Sequence, residues 1–295
     1  MKFVLLTLLG LSWAVRIAAF KIAAERGVPP IITIQLAVVG IVAGLVLISL
    51  LRRKIPPRTP VALRFYALSG CLGFVFPFAL ETFVAGHIPA FVFIVIISTM
   101  SIWVLLLTYI LKVEPGSVLK TASIFLGFAG ALLIAWDNAT GSVDAVPISW
   151  ILLAFLVPIL YTINTVFVAS RWPEGIDAIE VATGQAIVVG IAVLIAMPFT
   201  GLFDSAWLLE RATAPVVAIV VLETLALLIY LRIIKAYGAT FVSLANYVSM
   251  MFGAIIGYLL FYEAPGYLTL IASIMLVVSL QLIRIDGRPK ATVET

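Results

Sequence analysis

Ten stretches of this chain stay apolar long enough to cross a bilayer: roughly residues 3–22, 31–51, 63–84, 89–111, 118–136, 148–169, 178–200, 213–231, 239–261 and 265–283. A hydrocarbon core about 30 Å thick is spanned by about 20 helical residues. Inside it every backbone N–H and C=O has to be satisfied within the protein, which leaves only helices and closed barrels. The runs are continuous rather than alternating, so a barrel is excluded. Composition agrees: 64% of residues are hydrophobic and 11% are charged, whereas a soluble domain carries about 25% charged residues. A soluble enzyme, a disordered chain and a disulfide-stapled scaffold are thereby excluded. Cys71 and His87 are each the single residue of their type, too few for an intrachain disulfide or a His/Cys metal cluster. Neither a cofactor nor a metal is expected.

The connections are short and carry helix-end punctuation, as in Gly27-Val28-Pro29-Pro30, Pro56-Pro57-Arg58-Thr59-Pro60 and Trp172-Pro173-Glu174-Gly175. The first run contains Arg16 and Lys21, charges foreign to a signal-peptide core, so it reads as a retained helix. With both termini cytoplasmic, 14 of the 18 Lys and Arg residues fall inside, Lys21, Arg26 and Arg211 fall outside, and Arg16 lies within a span. That asymmetry is the positive-inside bias. The net charge of +4 therefore reads as a topology signal and a contact for anionic lipid, with no nucleic-acid partner. A bacterial-type inner-membrane location is expected, multi-pass with both termini cytoplasmic, as a monomer or homodimer.

The second half of the chain repeats the first. Tyr109-Ile110-Leu111-Lys112-Val113-Glu114-Pro115-Gly116 is echoed by Tyr258-Leu259-Leu260-Phe261-Tyr262-Glu263-Ala264-Pro265-Gly266, so that Glu114 and Glu263 align at an offset of 263 − 114 = 149. Ala122-Ser123-Ile124 matches Ala272-Ser273-Ile274 at an offset of 150, and Trp13-Ala14-Val15-Arg16 pairs more weakly with Tyr161-Thr162-Ile163-Asn164. Five helices per repeat is an odd number, so the halves enter the membrane in opposite senses. The expected fold is an all-α integral membrane protein of ten transmembrane helices, two inverted five-helix repeats over residues 1–140 and 141–295. Inverted repeats accompany alternating-access transport, with a substrate site near the midplane between the halves.

In Leu11-Ser12-Trp13-Ala14, Phe74-Val75-Phe76-Pro77-Phe78-Ala79-Leu80, the Glu114 and Glu263 turns and Gly127-Phe128-Ala129-Gly130-Ala131-Leu132-Leu133, the sequence resembles the drug/metabolite transporter superfamily, in particular its ten-helix EamA-type exporters. The resemblance covers nearly the whole chain. It implies a small-molecule carrier, often an exporter of amino acids or related metabolites. One departure is Ser98-Thr99-Met100-Ser101, where many members carry a proline in mid-helix 4.

Ionisable residues inside a span cost at least about 2.5–3.5 kcal/mol, so they are expected to face the bundle interior and to be paired. Arg16, Glu81 and Glu223 qualify. Arg16 and Glu81 fall at comparable depth, as an interhelical ion pair or as a receptor for a substrate carboxylate. Trp13 and Phe20 share the helix face of Arg16, which suits an amphipathic or aromatic acid. Glu223 has no evident cation at its own depth, and an unpaired buried carboxyl holds its proton, which makes it the proton-coupling candidate. Tyr161, opposite Trp13 in the repeat, and Tyr230, on the face of Glu223, join the substrate-site candidates with Ser98, Asn246 and Tyr247. Gln35, Thr99, Ser101, Asn164, Gln185 and Ser249 are further in-span polar residues, a type that most often bridges helices. Pro77 and Pro158 are expected to kink their helices, and Glu114 and Glu263 to cap the helices that follow them.

No His-Glu-x-x-His, Walker A or Gly-x-Gly-x-x-Gly motif occurs, and no enzymatic activity is expected. The reading is a secondary exporter of small amphipathic metabolites, amino acids or related carboxylates. The alternatives are a non-transporting scaffold, an intramembrane enzyme, or a passive uniporter without ion coupling.

Overall fold

The computed structural model describes residues 2–111, 117–140, 146–199, 206–263 and 266–286, and among these residues there is no strand. The helices are α1 (Lys2–Glu25), α2 (Pro30–Leu51), α3 (Pro60–Gly70), α4 (Phe76–Val84), α5 (Ala90–Ser98), α6 (Met100–Ile110), α7 (Val118–Thr140), α8 (Ile148–Ser170), α9 (Ala178–Ala196), α10 (Ala206–Ser243), α11 (Ala245–Phe261) and α12 (Tyr267–Asp286). Among the described residues, seven helical stretches are long and apolar enough to cross a membrane. Three shorter apolar helices, Thr121–Leu133, Val248–Phe261 and Tyr267–Ser279, fall in the fifth, ninth and tenth runs. Large apolar side chains such as Leu51, Phe125, Leu132, Ile195 and Met251 are exposed on the outside of the bundle, a surface that only lipid makes tolerable.

Local chemistry explains the breaks. Pro77 has no N–H to give the carbonyl of Gly73, and the chain meets this with a π-helical segment, Cys71–Val75, joining α3 to α4. Pro158 lies inside α8, which continues through it. The fourth run divides into α5 and α6 at Thr99, although no proline is present. At the break Thr99 Oγ1 donates to the Ile96 carbonyl of its own turn at 2.6 Å, while Ser101 Oγ donates across to the Ser243 carbonyl of α10 at 3.1 Å. α10 is broken at Gly238, whose φ of 82° and ψ of 178° suit glycine alone. At the start of α9, Asp177 accepts from the N–H groups of Ile179 and Glu180 while Glu180 accepts from Asp177 N–H, a reciprocal capping box.

Repeat-equivalent helices pack against one another: α2 with α9, α5 with α11, and α7 with α12. They do so antiparallel. Ser123 of α7 and Ser279 of α12 each donate to the other's carbonyl at 2.8 Å, while Gly130, later in α7, meets Ala272, earlier in α12. Likewise Thr183 of α9 donates to the Leu45 carbonyl of α2, and the earlier Val42 faces the later Gly190. The inversion expected from an odd helix number is thus visible as contacts. The small-residue spacing Gly253-x-x-x-Gly257 lets α11 close onto Ile94 and Phe91 of α5.

The remaining contacts interleave the halves. α1 packs on α10 and α11, and its repeat counterpart α8 packs on α4 and α6. Glu263 behaves differently from the expectation that it caps the helix following it. Its carboxylate pairs with Lys21 of α1 and accepts from the Phe91 N–H in the first turn of α5 at 3.4 Å. Glu114 lies outside the described residues.

Two predictions follow from this packing. A Cβ at Gly10 would stand 2.5 Å from the Ala245 carbonyl of α11, so Gly10→Ala is expected to destabilise by about 1–3 kcal/mol, read as earlier thermal unfolding in detergent. At the start of α9, Asp177 pairs with the exposed Lys54 at 3.0 Å. Partial burial pushes the Asp177 carboxyl up, but the Glu180 N–H, the Lys54 ammonium and the Ile179 N–H together hold it below the ordinary carboxylate range. Its contribution is therefore present above the unfolded pKa of about 4 and lost as pH falls below it. Asp177→Ala is expected to cost about 1 kcal/mol at pH 7, and Lys54→Ala markedly less because that pair is solvated; equal losses would show that the cap is not what Asp177 supplies.

Candidate functional site

A cavity opens between the halves, enclosing about 750 Å³ of atom-free space including what is continuous with solvent. One wall is apolar, built by Trp13 and Ile17 of α1, Ile94 and Ile97 of α5, Ala226 and Leu227 of α10. The polar groups gather at two places.

The first is charged. Arg16 of α1 is 3% exposed, and its guanidinium is held on two sides. Nη1 and Nη2 face the Glu81 carboxylate of α4 at 2.7 and 3.0 Å, while Nε faces Glu223 Oε2 of α10 at 3.2 Å. Nη1 also donates to the Tyr161 hydroxyl of α8 at 3.1 Å. Phe20 and Phe78 pack edge to face beside the cation, each about 5.8 Å from it. Four helices thus converge on one guanidinium, a geometry only its planar fork of donors can serve.

The sequence expectation about Glu223 is corrected here. Glu223 does have a cationic partner: the α1–α10 packing brings it to the face of Arg16 that Glu81 leaves free. The two carboxylates are not equivalent. Glu81 is fully buried, takes the bidentate contact and stands behind the lining. Glu223 is held by one contact outside hydrogen-bond geometry and lines the cavity beside Arg16.

The second place is neutral. The Tyr230 hydroxyl of α10 lies 2.7 Å from Thr165 Oγ1 of α8. The rings of Trp13 and Tyr230 meet at 6.4 Å. Gln185 of α9 donates to Ser69 of α3 at 2.6 Å. Asn246 Nδ2 donates to Ser101 at 3.4 Å. Asn164 is 5% exposed, and its Oδ1 has no hydrogen-bond partner.

Of the expected site residues, Trp13, Arg16, Tyr161, Glu223, Tyr230 and Asn246 line the cavity together. Glu81 supports it from behind. Ser98 stands outside the lining, with its hydroxyl directed at the carbonyls of Ile94 and Asn246. The side chain of Tyr247 lies outside the described residues. Ser69, Gly73 and Thr165 line the cavity without having stood out in the sequence. A helical hydroxyl satisfied by its own backbone, as Ser69 is by the Phe65 carbonyl at 2.6 Å, gives no sequence sign that it is exposed to a ligand.

A helical bundle of antiparallel repeat pairs around a partly charged central cavity defines a multi-pass membrane carrier. The chain belongs to the EamA-like transporter family, whose model matches residues 1–136 and again 148–285, in agreement with the resemblance to drug/metabolite transporters. It is accordingly a transporter of that type. No curated protein shows significant sequence similarity to it. A solved crystal structure of a protein 18% identical in sequence has the same fold, with a TM-score of 0.63 over 96% of this chain and 97% of its own.

The network predicts an order of stabilities. Arg16→Met leaves two adjacent carboxylates without their cation and is expected to destabilise by about 3–5 kcal/mol. Glu223→Gln keeps the bidentate Arg16–Glu81 pair and is expected to cost much less. Thermal unfolding of the two purified variants checks this, and a reversed order would show that Glu223 is the principal partner.

Proposed function

We propose that the protein exports small amphipathic metabolites bearing an amine, amino acids among them, by alternating access across an inner membrane with both termini cytoplasmic. The observation that carries this reading is the charge balance of the buried cluster. One guanidinium faces two carboxylates, so the fully ionised set carries one excess negative charge in a site poorly reached by water. A proton or an ammonium group neutralises it, and either is favoured strongly over leaving the charge uncompensated. Glu223 is the exchangeable member, since it faces the cavity and is held by a single off-axis contact.

Alternation between the two cations couples them. A solute ammonium arriving at Glu223 displaces its proton, and departure of the solute lets a proton return. A substrate carboxylate, by contrast, would have to compete with Glu81 and Glu223 for Arg16 and would bring a third anion to the cluster. The aromatic and aliphatic wall formed by Trp13, Ile17 and Leu227 accepts the apolar part of the solute and contributes about 25 cal/mol per Å² buried.

The test is a proteoliposome assay with an imposed pH gradient. Phenylalanine and phenethylamine are expected to evoke proton movement with the wild-type protein and to lose it with Glu223→Gln, with solute exchange weakened in that variant because the ammonium loses its carboxylate partner. 3-Phenylpropionate, which lacks the amine, is expected to evoke neither. Proton movement undiminished in Glu223→Gln would remove that residue from the coupling, and a response to 3-phenylpropionate alone would favour a carboxylate carrier.

A further inference from the structure

The two polar places of the cavity are the same place in the repeat. Asn164 stands where Arg16 stands, at an offset of 164 − 16 = 148, and Tyr161 where Trp13 stands, at 161 − 13 = 148. Gly73 answers to Glu223 at 223 − 73 = 150, and Glu81 to Tyr230 at 230 − 81 = 149. The contacts obey the same relation. Arg16 meets Glu223, and a Cβ at Gly73 would lie 2.1 Å from Asn164 Nδ2. Tyr161 and Glu81 share Arg16 Nη1, and Trp13 packs on Tyr230. One half of the frame has kept an arginine with two carboxylates, and the other holds an amide, a glycine and a phenol.

Arg16 lies past the middle of α1, and Asn164 past the middle of α8, which runs the opposite way. Arg16 and Asn164 are therefore displaced toward opposite ends of the bundle. Within the neutral group, Asn164 Oδ1 is buried, lines the cavity and has no hydrogen-bond partner. A buried carbonyl left without a donor carries a free-energy cost, and a ligand donor would remove it. The absent side chain at Gly73 is what leaves room for the amide to stand there.

We infer that Asn164 is a specificity-determining residue: it receives a hydroxyl or N–H donor at the far end of a substrate whose ammonium lies at Glu223. This rests on the amine reading given above and adds the orientation of the solute along the cavity. The preferred class is an amphipathic amine with a distal hydrogen-bond donor, bound lengthwise between an anionic and a neutral end.

Tyramine and phenethylamine differ by that donor alone. Calorimetric titration of the purified full-length protein is expected to give a Kd for tyramine about five- to tenfold lower than for phenethylamine, the scale of one net hydrogen bond. Asn164→Ala is expected to bring the two values together by weakening tyramine, with phenethylamine unchanged as the control for folding. Equal affinities in the wild-type protein, or a preference that persists in Asn164→Ala, would overturn the assignment while leaving the amine reading intact. Failure of both amines to bind the wild-type protein would overturn both. Gly73→Ala, which drives a methyl group into Asn164, supplies a second variant and is expected to abolish the preference in the same way.

Discussion

A guanidinium buried among hydrocarbon is the constraint to which the rest of this molecule answers. Arg16 cannot lose its proton under ordinary conditions, so its charge has to be met within the bundle, and α4, α8 and α10 each bring a group to it. Placing Glu81, Tyr161 and Glu223 around one side chain of α1 fixes the relative depth and rotation of four helices drawn from both halves. Aliphatic packing alone would leave sliding along the helix axes only weakly opposed, since one apolar ridge resembles the next. An ion pair of this kind contributes little net stability compared with a well-packed apolar core. Its effect is to make one register far better than its neighbours.

In the proposed mechanism the same cluster that the fold requires also couples the solute to a proton. Two carboxylates about one guanidinium leave a charge to be balanced, and in that mechanism a proton or the solute's ammonium balances it. Glu81 serves the fold and Glu223 faces the cavity, a division made by burial rather than by residue type. Beneath this lies a frame that is symmetric in backbone and asymmetric in chemistry. Antiparallel pairing of α2 with α9, α5 with α11 and α7 with α12 gives the halves matching roles, and the side chains along the cavity break the match.

Much of this was legible in the sequence. Apolar run length set the helices, because in hydrocarbon no other local structure satisfies the backbone. The recurrence of Glu114 at Glu263 and of Trp13 at Tyr161 showed the repeat, and its odd helix number required the inversion later seen in the Ser123–Ser279 contact. Arg16, Glu81 and Glu223 stood out because charge in a span is costly wherever it sits. What could not be read was their mutual arrangement. Glu223 looked solitary, since depth along a helix says nothing of which neighbour its face meets. Glu263 looked like a cap for its own following helix and instead serves α5. The unbound Oδ1 of Asn164 was equally hidden, because an amide in a span looks the same whether it bridges helices or faces a cavity.

The sequence alone thus determined that this chain lies in a membrane, that it is doubled and inverted, and which few side chains have to answer for their charge. Those properties follow from transfer free energies and periodicity, which act residue by residue along the chain. Tertiary structure alone decided that Arg16 holds both carboxylates, that Glu81 stands behind the cavity while Glu223 faces it, and that Gly73 opens the space occupied by Asn164. Those are distances between helices remote in sequence, set by how ridges and small residues pack, and no local pattern encodes them.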